Sequence, residues 1–365
     1  MLQAVDLARK GRGQTAPNPC VGALLVCGET VVAEGYHRRY GGPHAEVEAL
    51  RDAAAKGLDP RSCTLYVTLE PCNHHGKTPP CTEALLAAGI RHVVVGARDP
   101  HPGVTGGGIE RLRDSGVAVT TGVAEQACLD LIGDFVVWKT SSRPHLRLKL
   151  ASTLDGRIAT RSGHSAWISG EASRREVQRL RGMAQAVLVG GETFRQDNPR
   201  LTYRPPSGTP QPLAVVVTSQ LPGDPAAWNL TSRRPGETIF WTTADQARSP
   251  RAEDLQNLGC RIWALPEHGH GLDLSVGLER LRTELGVLDV LCEGGGRLAL
   301  SLVEKGLADE LYLFLAPRIL GDEQARPLFA GRSIETMDQA LSWRIVQQER
   351  FDEDLLLVLK MNPKP

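Results

Sequence analysis

Hydrophobic and polar positions switch between helical and strand periods along the first part of the chain. A helical pattern over 2–10 is followed by two short apolar runs, GALLVC and TVVAEGY, and by an Ala-, Glu- and Leu-rich helical pattern over 44–56. The runs CTLYVTLEP and RHVVVGA are typical of buried strands, and TEALLAAG between them is helical and ends at Gly89. A further helix is predicted over 124–140. This alternation predicts an α/β fold.

A second α/β series begins after the sequence Ser-Ser-Arg-Pro at 141–144. Its strand-like runs are HLRLKLA, AVLVG, LAVVVTS, TIFWTT, VLDVLCEGG, ELYLFLAPRI and LLLVLKM, and EASRREVQRLRGMA has a helical period. Four prolines and a glycine within 205–212 indicate an exposed loop inside this series. Since 365 residues exceed what a single hydrophobic core usually fills, we predict two domains, 1–142 and 143–365.

Charge and composition limit the classes of partner. The chain has 42 Lys and Arg against 42 Asp and Glu, so no global positive field attracts nucleic acid or an anionic membrane, and a small molecule is the expected partner. No apolar run approaches the roughly 18 residues of a membrane span, and the N-terminus lacks a secretory apolar region, so a soluble cytoplasmic protein is expected. The eight cysteines are expected to be reduced thiols or metal ligands rather than disulfides.

Four residues in two segments have the pattern of a zinc deaminase site. His44 and Glu46 form a His-x-Glu motif, and Cys72 follows a proline and precedes Cys81 by nine positions. In such sites one histidine and two thiolates hold zinc and leave a fourth position for a water molecule that the metal activates. The carboxylate is not a ligand but carries protons from the water to the leaving ammonia. We therefore predict His44, Cys72 and Cys81 as zinc ligands and Glu46 as the catalytic acid and base.

Two observations test this interpretation. Either motif alone would be weak evidence for a metal site, because cysteines at such spacing are usually buried thiols. A structural zinc site is an alternative, but it would need a fourth protein ligand, for which His74 and His75 are candidates. On an ideal helix positions 44 and 46 lie about 200° apart, so the pair shares a site only if both lie in the first turn.

The N-terminal half resembles the deaminase half of the bifunctional riboflavin-biosynthesis enzymes. The resemblance rests on PNPCVG, GYHRRYGGPHAEVEAL and TLEPCNHHGKTPPC, whose Pro-Cys-x8-Cys spacing differs from the Cys-x-x-Cys of cytidine and tRNA deaminases. It implies a three-layer α/β/α fold like that of cytidine deaminase. It also implies a substrate pocket lined by Asn18, His37, His74 and Lys77, with Lys77 as a partner of the ribose phosphate. Asn18 between two prolines could equally form a turn, and His101 stands where the family usually has asparagine.

Two glycine-rich segments of the second series each follow an apolar strand. They are Gly190-Gly191-Glu192-Thr193 and Glu293-Gly294-Gly295-Gly296, and the second leads into the helical run RLALSLVEKG. Glycines at such positions let backbone N–H groups approach a phosphate at a helix N-terminus, although tight structural turns use them as well. The Gly-x-Gly-x-x-Gly pattern of a Rossmann fold does not follow the first strand.

The second series resembles the reductase half of the same family, whose fold is similar to dihydrofolate reductase. The motifs are LKLASTLDGRIA, SAWIS, VQRLR, VLVGGETFRQDNPRLTYR and LCEGGGRLALSLVEKGLADELYLFLAPRILG. The resemblance implies NADPH bound near Ala151, Thr153, Gly190, Gly191, Thr193, Gly294, Gly295 and Gly296. It implies substrate contacts from Ser165, Trp167, Arg181, Asp197, Leu201, Arg204 and Glu293.

The residue types suit a phosphorylated substrate. Arg181 and Arg204 could hold a phosphate with their forked donors, although Arg204 could also be an ordinary surface charge, and Trp167 offers an apolar wall. Asp197 is the predicted proton-handling residue of the reduction. Asn198 replaces the second aspartate of the usual Asp-Asp-Pro, so an essential carboxylate is not expected there.

The resemblance of both halves implies a bifunctional enzyme of riboflavin biosynthesis. Zinc-dependent deamination of 2,5-diamino-6-(ribosylamino)pyrimidinone 5′-phosphate would be followed by NADPH reduction of the ribosyl group to a ribityl chain. One alternative is a nucleoside or tRNA deaminase with an accessory domain, which the charge balance and the cysteine spacing disfavour. Another is a zinc-stabilised nucleotide-binding module with four protein ligands. The resemblance also implies a homo-oligomer formed through the reductase domain.

Overall fold

The chain forms two compact units in a computed structural model that describes residues 1–101, 107–204, 210–269 and 271–361. The units are Met1–Ser141 and Ser142–Pro365. The boundary predicted from the sequence lies one residue later, after residue 142. Two segments singled out in the sequence extend beyond the described residues: Pro102, which follows His101, and most of the proline-rich loop, 205–209.

The N-terminal unit is an α/β structure, as predicted. Its strands are β1 (Gly22–Cys27), β2 (Thr30–Tyr36), β3 (Thr64–Leu69), β4 (His92–Ala97) and β5 (Ala118–Thr121). Its helices are α1 (Leu2–Ala8), α2 (Ala45–Ala55), α3 (Cys81–Ala87), α4 (Gly108–Asp114), α5 (Glu125–Leu131) and α6 (Gly133–Thr140). The single helix predicted over 124–140 is wrong, because the backbone at Ile132 leaves the helical region with φ −104° and ψ 22° and separates α5 from α6.

The sheet of this unit has the order β2-β1-β3-β4-β5, with β1 antiparallel to both neighbours and the remaining pairs parallel. Leu25 of β1 packs in the core under α2, whereas Leu24 packs against α1 on the opposite face, so helices cover both faces. Helix α2 lies almost directly on β2, because a Cβ added at Gly35 would fall 2.2 Å from the backbone nitrogen of Ala49. Because Gly35 has no side chain, α2 can approach the sheet this closely.

Two cysteines of this unit depart from the expectation of reduced thiols. Cys27 ends β1 and Cys63 immediately precedes β3, and the structure joins them by a disulfide with a Cα–Cα distance of 4.4 Å. Because β1 pairs with β3 in antiparallel register, the pairing brings together two residues 36 positions apart. The expectation is therefore wrong for this pair.

The C-terminal unit is also an α/β structure. Its strands are β6 (His145–Thr153), β7 (Arg157–Ala159), β8 (Ala186–Gly190), β9 (Leu213–Val217), β10 (Thr238–Thr242), β11 (Arg261–Ala264), β12 (Glu267–His268), β13 (Gly271–Leu272), β14 (Asp289–Cys292), β15 (Glu310–Ala316), β16 (Arg326–Pro327), β17 (Trp343–Phe351) and β18 (Asp354–Met361). Its helices are α7 (Glu171–Met183), α8 (Gly191–Asp197), α9 (Asn229–Arg233), α10 (Ala244–Ala247), α11 (Pro250–Asn257), α12 (Leu274–Leu285) and α13 (Gly296–Glu304).

The main sheet runs in the order β11-β10-β9-β8-β14-β6-β15-β18-β17, and only the last two pairs are antiparallel. Alternate residues of β8 enter two different cores: Leu188 packs on one face and Val187 on the other. Such apolar runs are expected where helices cover both faces of a parallel sheet. The described residues include no helix that is both long enough and apolar enough to span a membrane.

A buried ion cluster lies where the central strands begin. Nη1 of Arg147 on β6 is 2.8 Å from Asp289 on β14, and its Nε is 3.5 Å from Glu310 on β15. Lys360 lies 3.3 Å from Glu310. The guanidinium thus compensates two carboxylates that are almost fully buried, at the end of the sheet opposite the glycine-rich turns.

Candidate active sites

The three predicted zinc ligands converge at the start of two helices. His44 is the N-cap residue of α2, Cys81 is the first residue of α3, and Cys72 lies in the connection that follows β3. The imidazole Nδ1 is 3.3 Å from the Cys81 sulfur and 3.5 Å from the Cys72 sulfur. All three ligand atoms lie within 4.8 Å of one another. One imidazole and two sulfurs at this spacing fit a zinc ion.

The environment of the two sulfurs favours cation binding. A hydrogen bond from the Cys81 thiol, helped by His44 and by the Cys81 backbone N–H at 3.3 Å, lowers the pKa of Cys72 to about 4. The same hydrogen bond, together with burial, raises the pKa of Cys81 well above its ordinary value. The two sulfurs thus lie within hydrogen-bond distance of each other, in the place where a divalent cation would bind both.

The described residues place no fourth metal ligand beside these three. His74 and His75 are exposed, and Nε2 of His75 is 4.0 Å from Glu83 on α3. A structural zinc site would need another protein ligand, whereas a catalytic site keeps a position for water. The geometry therefore favours the catalytic interpretation.

Glu46 lies in the first turn of α2, where the sequence argument required it. Its side chain is buried, with 3 % of the residue exposed, and it is hydrogen bonded to Cys81. Burial, reinforced by the charge of Cys72, raises the pKa of Glu46 to about 7. A carboxyl group with such a pKa can both accept and donate a proton near neutral pH.

Asn18 and His37 form a hydrogen-bonded pair beside the metal ligands. Nδ2 of Asn18 is 3.3 Å from Nε2 of His37, and Nδ1 of His37 is 2.9 Å from the carbonyl of Pro43. The carbonyl requires a proton on Nδ1, so Nε2 accepts from the amide and leaves the Asn18 oxygen for a ligand. Burial lowers the pKa of His37, and its ring packs edge-on against that of His44 at 5.2 Å. Asn18 also closes a turn with Thr15, as the turn interpretation predicts, and its contact with substrate stays a prediction.

The remaining predicted residues of this pocket are more open. Lys77 is exposed and its Nζ lies 4.2 Å from the ring centroid of Tyr40, a cation–π contact that sequence reasoning missed. His74 is exposed. His101 is half-buried, and its backbone N–H donates to Asp99.

A cavity of about 2290 Å³ opens at the carboxyl ends of the parallel strands in the C-terminal unit. Ligands of open α/β sheets usually bind at this edge. The predicted residues that line it are Ala151, Ser165, Trp167, Arg181, Gly190, Gly191, Thr193, Asp197, Leu201, Arg204, Glu293, Gly294, Gly295 and Gly296. Thr153 does not line the cavity; it is buried, and its hydroxyl donates to Asp155 at 2.6 Å.

A half-buried charge cluster forms the inner wall of this cavity. Nε and Nη2 of Arg181 donate to the two oxygens of Glu293 at 2.6 and 2.8 Å, and Nη1 donates to the carbonyl of Thr202. Burial lowers the pKa of Lys149, which lies near both groups. Desolvation would raise the pKa of Glu293, but Arg181 and Lys149 hold it below its ordinary value. Sequence reasoning missed Lys149, although a lysine among the leucines of a central strand was a usable signal.

The other predicted substrate residues surround the opening. Trp167 lines the cavity, is 67 % exposed, and stacks on the guanidinium of Arg174 at 4.7 Å. Asp197 ends α8 at the rim, and desolvation raises its pKa. Asn198 also lines the cavity, and its side chain is engaged with the protein: its amide nitrogen donates to the carbonyl of Ala227 and its oxygen accepts from the N–H of Asn229.

Comparison with known families matches both halves of the chain. Residues 1–97 match the cytidine and deoxycytidylate deaminase zinc-binding region. Residues 144–357 match the RibD C-terminal domain. The predicted α/β fold class, with a cytidine-deaminase-like N-terminal domain, is confirmed by these matches.

Curated relatives extend over nearly the whole chain. The riboflavin biosynthesis protein RibD of Aquifex aeolicus is 39% identical over 99% of this chain and 97% of its own length. That of Escherichia coli is 38% identical over 98% of each.

Solved structures agree. RibD of Acinetobacter baumannii has a TM-score of 0.74 at 34% identity, covering 99% of this chain and 98% of its own. The diaminohydroxyphosphoribosylaminopyrimidine deaminase/5-amino-6-(5-phosphoribosylamino)uracil reductase of Thermotoga maritima has a TM-score of 0.75 at 35% identity, covering 99% and 97%.

Proposed function

The chain belongs to the RibD family of bifunctional riboflavin-biosynthesis enzymes, and from this we propose how its two sites divide a pair of consecutive reactions. It is a deaminase and a reductase, and it uses zinc and NADPH. The proposed substrate is 2,5-diamino-6-(ribosylamino)pyrimidinone 5′-phosphate, and its deamination gives the ribosylaminouracil that the reductase converts to the ribityl compound.

The N-terminal unit is proposed to carry out the hydrolytic step. When bound, zinc activates a water molecule for attack on the ring carbon that bears the amino group, and NADPH supplies the hydride of the second step. Glu46 takes a proton from the attacking water and delivers protons to the ring nitrogen and the departing ammonia. Its burial beside Cys81 supports this role, because desolvation keeps its pKa near 7.

The open side of the same pocket is proposed to bind the pyrimidine ribotide. The free amide oxygen of Asn18, oriented by His37, accepts a hydrogen bond from the pyrimidine. Lys77 attracts the phosphate, and His74 lies on the same loop as a second donor.

The C-terminal unit is proposed to bind the deaminated ribotide with NADPH. Backbone N–H groups at Gly191 and Gly296, which begin α8 and α13, suit the cofactor phosphates. Arg204 is the proposed phosphate ligand of the substrate, because Arg181 is already engaged with Glu293. Lys149 is half-buried in the cavity wall, where its ammonium can donate to acceptors of the pyrimidine ring.

Further residues of the reductase site are assigned through the cavity. Ala151, Thr193 and the glycines at 190, 294 and 295 are proposed to contact NADPH. Ser165, Trp167, Leu201 and Glu293 are proposed to contact the substrate, and Asp197 at the rim to handle the proton. Thr153 would support the NADPH site without contacting the cofactor through its side chain, which is buried and does not line the cavity.

One observation carries the proposal most strongly: a His-Cys-Cys donor set with Glu46 buried beside it. The alternative of a nucleoside or tRNA deaminase is disfavoured, because the chain has a reductase half and the expanded cysteine spacing.

A time course with both substrates tests the proposed order. The purified chain, mixed with the diaminopyrimidinone ribotide and NADPH, should release ammonia first and oxidise NADPH with a lag that disappears when the deaminated ribotide is supplied instead. Oxidation of NADPH without prior ammonia release, or turnover of cytidine with none of the ribotide, would contradict the proposal.

The proposed assembly is a homo-oligomer formed by the C-terminal unit. Strand β17 is an edge strand of the main sheet, and its Ile345 is 56 % exposed. Exposed strand edges with apolar side chains pair readily with another strand. A second copy of the chain is the proposed occupant, and Ile345→Lys should shift the mass measured by sedimentation toward the monomer; an unchanged mass would contradict this interface. A cytoplasmic location, where NADPH is supplied, is proposed with it.

A further inference from the structure

A buried arginine behind the reductase cavity braces one wall of the site. Arg234 follows α9, and only 8 % of the residue is exposed. Its Nη1 donates to the carbonyls of Arg200 and Leu201, both at 2.9 Å, and its Nη2 donates to the carbonyl of Pro212. Its Nε donates to Glu237 at 2.9 Å. The two Nη nitrogens of the guanidinium are thus directed at backbone carbonyls between α8 and β9, and Glu237 holds its Nε.

The braced loop has a backbone conformation that needs support. Leu201 has φ +48°, in the left-handed region that a leucine rarely adopts. Asn198, with φ +39°, is a left-handed asparagine at the end of α8, where this conformation is common. Leu201 is 2 % exposed and packs against Phe194 and Leu230, so its side chain cannot leave to relieve the strain. A left-handed leucine persists only where surrounding contacts hold it.

The contacts that hold it come from α9 and the residues on either side of it. Asn198 is bonded to Ala227 and to both the backbone and the side chain of Asn229, at 2.7 to 3.0 Å. Arg234 donates hydrogen bonds to two carbonyls of the same loop, two and three residues after Asn198. Arg234 itself does not line the cavity, whereas Asp197, Leu201 and Arg204 of the loop it holds do.

We propose that Arg234 is a positioning residue of the reductase, which sets the substrate loop from Asp197 to Arg204 by holding the carbonyls of Arg200 and Leu201. The inference rests on the proposed function, because that function assigns this loop to the pyrimidine ribotide. Arg234 has no part in binding NADPH, whose proposed phosphate ligands are on α8 and α13. Its loss therefore impairs substrate binding and turnover and leaves cofactor binding unchanged.

The test compares three variants of the full-length, zinc-loaded enzyme. Arg234→Gln removes the forked donor, and Arg234→Lys keeps a cation that can reach a carbonyl. Arg233→Gln is the matched control, since it removes the same charge from an exposed neighbouring side chain. The measurements are kcat and KM for the deaminated ribotide, the dissociation constant of NADPH by fluorescence, and the deaminase rate of the same sample.

Arg234→Gln should raise the KM for the ribotide and lower kcat, with a loss in kcat/KM of about tenfold to a hundredfold, as expected for a misplacement of roughly 1 Å. NADPH binding and deamination should stay within about twofold, Arg234→Lys should recover part of the loss, and Arg233→Gln should match the parent chain. Unchanged ribotide kinetics in Arg234→Gln, or an equal loss of NADPH affinity, would overturn the inference.

A milder variant covers the case in which Arg234→Gln does not fold. Glu237 orients the guanidinium from a side chain that is 48 % exposed, so Glu237→Gln loosens the brace without leaving a buried group unpaired. It should raise the ribotide KM in the same direction by a smaller factor, and an unchanged KM would count against the brace. Failure of the proposed function is distinguishable, because the parent chain would then not reduce the ribotide at all.

Discussion

Replacing Glu46 with glutamine tests the chemistry of the deaminase site with little change in shape. The amide has nearly the volume of the carboxylate but cannot take a proton from water. General acid–base catalysis contributes about 10² to 10⁴ in rate, which corresponds to roughly 3 to 5.5 kcal/mol of barrier at 1.36 kcal/mol per factor of ten. With Glu46 in the first turn of α2 and only 3 % exposed, bulk water should not replace the lost group, so the loss should lie toward the upper end of this range.

The assay follows ammonia release from the diaminopyrimidinone ribotide by protein of measured zinc content. Zinc should stay bound, because Glu46 is not one of the three ligands. Reduction of the deaminated ribotide by the same sample should remain at the parent rate. Glu48→Gln is the matched control, since Glu48 lies in the same helical turn but pairs with Arg51 at 3.1 Å. If Glu46→Gln deaminates within about threefold of the parent at full zinc occupancy, the assigned proton carrier is wrong.

Three further changes test the structure around the sites. Gly35→Ala should push α2 away from the sheet, because the new Cβ would lie 2.2 Å from the helix backbone. The zinc content and the deaminase rate should both fall, while reduction of the deaminated ribotide persists. Full zinc occupancy in this variant would contradict the close packing. Arg147→Ala should lower the free energy of unfolding by about 3 to 5 kcal/mol in urea titrations, because it removes the guanidinium from the buried Asp289 and leaves the buried Glu310 with the Lys360 ammonium; a loss below about 1 kcal/mol would refute that assignment. Tyr40→Leu should raise the deaminase KM about twofold to fivefold, because only an aromatic ring attracts the Lys77 ammonium. Tyr40→Phe keeps the ring and should leave the KM unchanged. Equal kinetics of the two variants would show that this contact does not affect substrate binding.

The zinc site could be predicted from sequence because its chemistry lies in local motifs. His44 and Glu46 share one helical turn, and Cys72 and Cys81 flank one loop, so residue types and spacing carry most of the information. The strands around them follow long apolar runs, which is why the α/β architecture could be predicted as well.

The features that escaped sequence analysis depend on contacts between distant segments. Arg234 braces carbonyls more than twenty residues away, and the left-handed Leu201 has no signature in the sequence. Strand β17 was missed because a register shift between Ile345 and Gln347 interrupts its alternation. The Cys27–Cys63 disulfide exists only because β1 and β3 are neighbours.

The central claim is that a zinc ion held by His44, Cys72 and Cys81 drives the first of two consecutive reactions in one chain. The most direct test measures NADPH oxidation by zinc-stripped protein with each of the two ribotides. We predict that the stripped protein oxidises NADPH with the deaminated ribotide at the parent rate, fails with the diamino ribotide, and regains that activity when one zinc per chain is restored. Undiminished NADPH oxidation from the diamino ribotide without zinc would contradict the account.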